Sequence, residues 1–155
     1  MNEMLEAALE YSGRGISVIP IPPGAKIPGI SWKQFQETRA DENQIRAWWQ
    51  RWPNSNIGIV TGAISNLVVL DCDAAEGLEI IEQNGGLPVT AVALTSFDET
   101  GFRKRHYYFQ HPGERLKNFV KKLPGLDFRG DSGYVLAPPS LHPSGARYEW
   151  AQGEI

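Results

Sequence analysis

The chain has 155 residues, 41% of them hydrophobic and 21% charged, with a formal net charge of −3. That length and balance fit one globular domain with its own core and exclude a disordered chain. No apolar run is long enough to cross a bilayer, and a single cysteine, Cys72, excludes an internal disulfide or a metal site built on paired thiolates.

Residues 3–12 carry Met4, Leu5, Ala8 and Leu9 at helical spacing, closed by Gly13. This start is acidic and lacks the basic, then apolar, plan of a secretory signal, so a cytoplasmic location is the expectation. GISVIPI follows as a short buried strand. PPGAKIPGISWK is a loop, its Pro and Gly too dense for regular structure. Asp41 suits an N-cap, with Gln44 at the capping-box position. The helix it opens places Ile45, Trp48 and Trp49 on one face and stops before Pro53. The tryptophans, Trp52 among them, read as core and lid packing rather than base-stacking platforms.

NIGIVTG reads as a strand ending in a glycine turn, and LVVLDCD as a strand that is apolar first and acidic at its exit. AAEGLEIIEQNGG is a short helix with a glycine stop. VTAVALTS and RHYYFQH are strands. LPGLDFRGDSGYVLAPPS holds two short strands around a tight turn, and RYEW is a last strand. Strands are many, helices few, and the order is not a repeated βαβ alternation. An α/β or α+β domain is expected rather than a doubly wound sheet. The chain ends soon after a strand, which suggests one domain of a larger protein.

The net charge hides an uneven distribution. Residues 103–122 hold Arg103, Lys104, Arg105, Arg115, Lys117, Lys121 and Lys122 against Glu114 alone, so the rest of the chain is strongly acidic. Such a strip is either a solvated surface or a face for a phosphate backbone.

Asp71 and Asp73 are the most informative pair. In a strand, residues two apart share a face, roughly 6.6 Å apart along it, and Cys72 faces the core on the other side. Like charges side by side are costly unless a cation neutralises them, and hard oxygen ligands suit Mg²⁺ or Mn²⁺. An Asp-rich turn would give the same letters, and glycosyltransferases, phosphatases and nucleases use similar pairs. His106 follows the basic triplet Arg103, Lys104 and Arg105, a combination suited to a triphosphate or to a structural histidine. Asp127 ends another apolar stretch with Arg129 on the same face, placed to complete a metal site and to orient it or bind phosphate. Asp131 reads as turn chemistry. Ser140 and His142 lie in a stiff Pro-rich loop, and Lys26 and Lys33 flank the first loop. Ser140 and His142 are candidate nucleotide contacts or turn chemistry, and each lysine is a candidate contact to nucleotide or template or a solvent-facing group.

Taken in order, PPGAKIPGISWK, IRAWWQRWPNSNIGIVTG, LVVLDCD, RHYYF, LDFRGDSGYVLAPPSLHPSG and RYEW resemble the primase-polymerase (prim-pol) domain of the archaeo-eukaryotic primase superfamily. The resemblance covers most of the chain. It implies a DNA-templated nucleotidyltransferase that makes or extends primers on single-stranded DNA from nucleoside triphosphates. It also implies two divalent ions, Mg²⁺ or Mn²⁺, held by Asp71, Asp73 and Asp127, with His106 on the nucleotide phosphates. The implied fold is an RRM-like sheet plus a small N-terminal α/β unit, the active site in the cleft between them. Such domains are commonly fused to a helicase in replication proteins. Where the family usually has a glycine-rich turn before the histidine, this chain has TSFDETGFRKRHYYF, with Gly101 and the basic triplet. The readings from other classes are a metal-dependent nuclease or phosphodiesterase, and a non-catalytic single-stranded DNA-binding module.

Overall fold

The computed structural model describes residues 2–155. Its elements follow the hydrophobic pattern closely. The first helix, α1 (Glu3–Gly13), is capped by Asn2, whose side chain accepts from the Met4 amide, and it buries Ala8 and Tyr11. Strand β1 (Ser17–Ile21) is buried throughout. The next helix, α2 (Glu42–Arg51), starts at Asp41, whose carboxylate accepts from the Gln44 amide at 2.8 Å, as the capping pattern requires. Its inner face is Ile45, Trp48 and Trp49. Trp49 also donates to the Ser55 carbonyl at 3.1 Å. Trp52 departs from the expected packing: it is 37% exposed, with the Arg51 guanidinium over its ring.

Strands β2 (Asn56–Val60) and β3 (Leu67–Cys72) come next, then helix α3 (Ala75–Gln83), strand β4 (Ala91–Phe97) and strand β5 (Arg103–Gln110). Strands β6 (Phe119–Leu123) and β7 (Leu126–Arg129) form a hairpin. They precede β8 (Tyr134–Leu136) and β9 (Glu149–Gln152). The described residues thus form a mixed α+β fold with three helices and antiparallel strand pairs. None of these helices is long and apolar enough to cross a membrane.

The strands form two sheets. One has the order β1-β2-β8, the other β6-β7-β3-β5-β4-β9. The two short strands read around the tight turn therefore part company: β7 lies in the large sheet and β8 in the small one. The crossing between them is clamped by Thr61, which donates its hydroxyl to the Gly130 carbonyl at 2.6 Å and its amide to the Gly133 carbonyl at 2.9 Å. One apolar cluster joins both sheets. Ile19, Ile57 and Ile59 come from the small sheet, Val69, Ala93 and Tyr108 from the large one, and Ile45 and Trp49 from α2. Each fully buried aliphatic side chain there contributes about 1.5–3 kcal/mol.

Helix α3 covers the opposite face of the large sheet at very short range. A Cβ on Gly77 would lie 2.6 Å from the Gly125 carbonyl oxygen and 2.9 Å from the Cys72 sulfur. Only glycine fits that approach.

Candidate active site

The alternation of β3 decides what faces the gap between the sheets. Val69 and Asp71 point one way, and Val68 and Cys72 the other. Across the ladder, Asp71 pairs with His106 of β5 on one side and with Asp127 of β7 on the other. Cross-strand partners share a face, so three separate segments present Asp127, Asp71 and His106 in one row. Asp73 lies just past the end of β3, its amide fixed to the Gly125 carbonyl at 2.8 Å.

Asp71, Asp73 and Asp127 each offer one carboxylate oxygen, and these atoms all lie within 4.8 Å of one another. Oxygen ligands from carboxylates at that spacing suit a hard divalent cation. The electrostatics agree. Burial and the neighbouring Asp71 charge push the Asp73 carboxyl up to about 6, against a partial pull from Lys104. Burial also works against ionised Asp71, but the His106 imidazole, a hydrogen bond from Asp73 and the Arg129 charge hold its carboxyl below the ordinary value. Two crowded carboxylates driven in opposite directions show like charges held close together, a cost that a bound cation would relieve.

His106 is buried, with Nε2 at 3.6 Å from Asp71 Oδ1, too long for a direct hydrogen bond. Its Nδ1 has no hydrogen-bond partner among the described residues. Arg129 pairs with Val69 and joins Asp71 and His106 in lining a cavity of about 290 Å³. The facing wall carries Lys26, Trp32 and Tyr134. Tyr134 donates its hydroxyl to the Lys26 carbonyl at 2.8 Å and meets Trp32 edge to face at 5.1 Å.

The remaining sequence candidates sort by position. Lys104 shares the face of His106 and acts electrostatically on Asp73. Arg103 and Arg105 do not reach this site. Arg103 donates to the Thr95 and Arg147 carbonyls at 2.9 Å each and lies over the Phe97 ring. Arg105 folds back on the Arg103 carbonyl, stacks on Phe102, and lies on the side of Cys72 and Tyr107. The period of two splits a basic triplet that reads as one patch in sequence.

Ser140 is not a surface contact either. It is fully buried, and its hydroxyl oxygen accepts from the Ile57 amide at 2.9 Å. His142 stacks on Tyr148, with ring centroids 6.3 Å apart. Its Nδ1 accepts from the Ser144 amide at 3.0 Å, so the neutral ring carries its hydrogen on Nε2, a buried atom with no partner among the described residues. Burial and the charges of Lys26 and Lys104 lower its pKa. Lys33 is exposed at the start of a single helical turn, Lys33–Gln36. Asp131 is the turn residue expected, and it does more: its carboxylate accepts from the Ala63 and Leu116 amides at 2.9 and 2.7 Å.

Asn118 and Tyr148 also line the cavity and were not read from sequence. Asn118 carried no signal there. Tyr148 lies in RYEW, whose position beside His106 depends on a distant strand pairing.

The arrangement combines clustered carboxylates with cations and an imidazole N–H at one cavity, the chemistry needed to hold a metal-bound polyphosphate. Residues 8–155 match the Prim-Pol family, described as "Bifunctional DNA primase/polymerase, N-terminal". The comparison with curated proteins gives no match.

Proposed function

The chain belongs to the bifunctional DNA primase/polymerase family, and on that premise we propose that it is the catalytic domain of an enzyme that synthesises primers, extends them, or both, on single-stranded DNA. The observation that carries this reading is the carboxylate cluster of Asp71, Asp73 and Asp127, on adjoining segments at the mouth of a cavity with cationic walls. DNA and nucleotides are the substrates the family implies, and metal dependence goes with them.

The donor set fits two divalent ions, Mg²⁺ or Mn²⁺, held by those three aspartates. Ions bound there would supply the Lewis acidity for attack of a 3′-hydroxyl on the α-phosphorus and for departure of pyrophosphate. The protein's own part is positioning. Arg129, Lys104, Lys26 and the Nε2–H of His142 supply donors for triphosphate oxygens. His106 lies beside Asp71, where it can contact the same phosphates. Tyr134 ties the loop bearing Lys26 to the cavity wall, so that less freedom is lost when a nucleotide binds. Trp32, Tyr134 and Tyr148 give the cavity walls that exclude water from the reacting groups.

The sheet order supports the RRM-like reading. Strands β7-β3-β5-β4 are adjacent in that order, with α3 between β3 and β4 in sequence. The smaller unit is built from α1, α2, β1 and β2, with β8 supplied from later in the chain. The cavity touches both sheets, which supports an active site in a cleft between them.

The test is incubation with single-stranded DNA, labelled nucleotides and Mg²⁺ or Mn²⁺, with and without a primer. Products longer than the input, absent with Asp71→Ala, are expected. Products without a primer would establish priming. Shortened DNA would replace this reading with a nuclease, and DNA binding without any product would replace it with a binding module.

A further inference from the structure

Two cavities adjoin at the site. The one containing Asp71 and a second of about 560 Å³ share Asn118 and Ser132. The second is bordered by the loop between β5 and β6, which presents exposed Arg115 and Lys117 on either side of Leu116. Both of these cations line the second cavity.

This loop has little regular structure, yet it is fastened along its length. The Asp131 carboxylate accepts from the Leu116 amide, and the Asp131 amide donates back to the Leu116 carbonyl, both at 2.7 Å. Asn118 donates to the Asp131 carbonyl at 3.2 Å and accepts from the Gly130 amide at 2.8 Å. His111 lies 3.1 Å from Asp131 through Nε2, while its Nδ1 accepts from the Gly113 amide at 3.1 Å. A Cβ on Gly130 would sit 2.5 Å from the Leu116 carbonyl oxygen, and one on Gly133 would sit 2.5 Å from Asn118 Oδ1. The loop therefore lies directly against the β7–β8 crossing.

The charge left facing the groove follows from these bonds. Asp131 is the acid at its base, but its carboxylate is engaged by two amides and His111. Burial alone would raise its pKa, yet those bonds hold it below the ordinary value. The side chains that project from the loop are Arg115 and Lys117, against Glu114. A single phosphate needs donors that converge. Cations set in sequence along a fastened loop suit the repeating charges of a strand. Arg103 and Arg105, which gave the sequence its most basic triplet, are committed to carbonyls and rings elsewhere.

We propose that this groove binds single-stranded DNA through its phosphates, with Arg115 and Lys117 as the contacts, and leads the strand over Asn118 and Ser132 into the catalytic cavity. The assignment rests on the primase-polymerase reading of that cavity. It divides the basic strip of residues 103–122: Arg115 and Lys117 serve the strand, Lys104 serves the catalytic site, and Arg103 and Arg105 serve the sheet.

The test is fluorescence anisotropy of a labelled oligothymidylate over a salt series, without nucleotide or metal. Arg115→Ala/Lys117→Ala should weaken binding about tenfold at low salt. It should also reduce the slope of log affinity against log salt by about 1.4, the loss expected for two phosphate contacts on a single strand. Arg115→Lys/Lys117→Arg should restore the slope, and Arg46→Ala, an exposed cation on α2, should leave it unchanged. Nucleotide affinity, measured separately with Mn²⁺ and no DNA, should be that of the unaltered protein in all variants. An unchanged slope in the double alanine variant, with normal strand synthesis by the unaltered protein, overturns the groove alone. Failure of the unaltered protein to bind DNA or incorporate nucleotides overturns the primase-polymerase reading together with the groove.

Discussion

Asp73 is the residue on which the proposed cation binding meets protonation. Its carboxyl is pushed up from 3.8 to about 6, so between those values the folded chain holds a proton that the unfolded chain has released. This group's contribution to stability is therefore present at low pH and lost as pH rises through about 6 when no metal is bound. Asp71, held below its ordinary value, has the opposite sign: its contribution is lost as pH falls. A cation must displace the Asp73 proton. Mn²⁺ affinity measured by titration calorimetry should thus be about tenfold weaker at pH 5 than at pH 7. Asp73→Ala should reduce strand synthesis by roughly a hundredfold or more, on the scale of losing one preorganised electrostatic group. It should leave the metal-free melting temperature unchanged or higher, because a crowded like charge is gone. A large drop in that temperature would mean that Asp73 holds the fold rather than a cation. The pairing of Asp71 with Asp73 was legible in sequence because a strand's alternation is local. The opposed signs of their pKa shifts were not, because they depend on His106, Lys104 and Asp127 arriving from other strands.

At the scale of elements, a strand's two faces separate residues that the sequence runs together. Lys104→Ala should raise the KM for nucleotide several-fold, while Arg105→Ala should leave it near normal and act on the opposite face; steady-state kinetics of the two variants decides this. Ser140→Ala removes the acceptor of the buried Ile57 amide and should cost about 1–3 kcal/mol in denaturant unfolding, with nucleotide affinity retained. Helix α2 was readable from Asp41, Gln44 and its apolar face. Strand β6 was not. Its residues, Phe119–Leu123, include consecutive lysines and no clean alternation, and it is a strand because β7 lies beside it, with Phe119 stacked on Phe128. Likewise β7 and β8 were both expected as short strands, but their placement in different sheets follows from the pairing of β7 with β3 and of β8 with β2, with Thr61 clamping the crossing.

The whole molecule carries its two sheets on one apolar cluster, so thermal unfolding should be a single transition, seen alike by tryptophan fluorescence and far-ultraviolet circular dichroism. Two separated transitions would show that the sheets fold independently. A mixed fold of many short strands and few helices was legible from the strand pattern, and the family resemblance narrowed it to α+β, whereas the partition into sheets was not legible, since it is fixed by pairings between distant segments. The row of Asp127, Asp71 and His106 has one more consequence. These residues lie on three strands and share a face only in the native pairing. A slip of one residue along β3 would present Leu70 or Cys72 in place of Asp71 and dismantle the ligand set. On the proposed function, a divalent ion would therefore act as a checksum on sheet assembly, binding the correctly paired chain and not its slipped neighbours. By mass action, Mn²⁺ present during refolding should enrich the chain that is already in register.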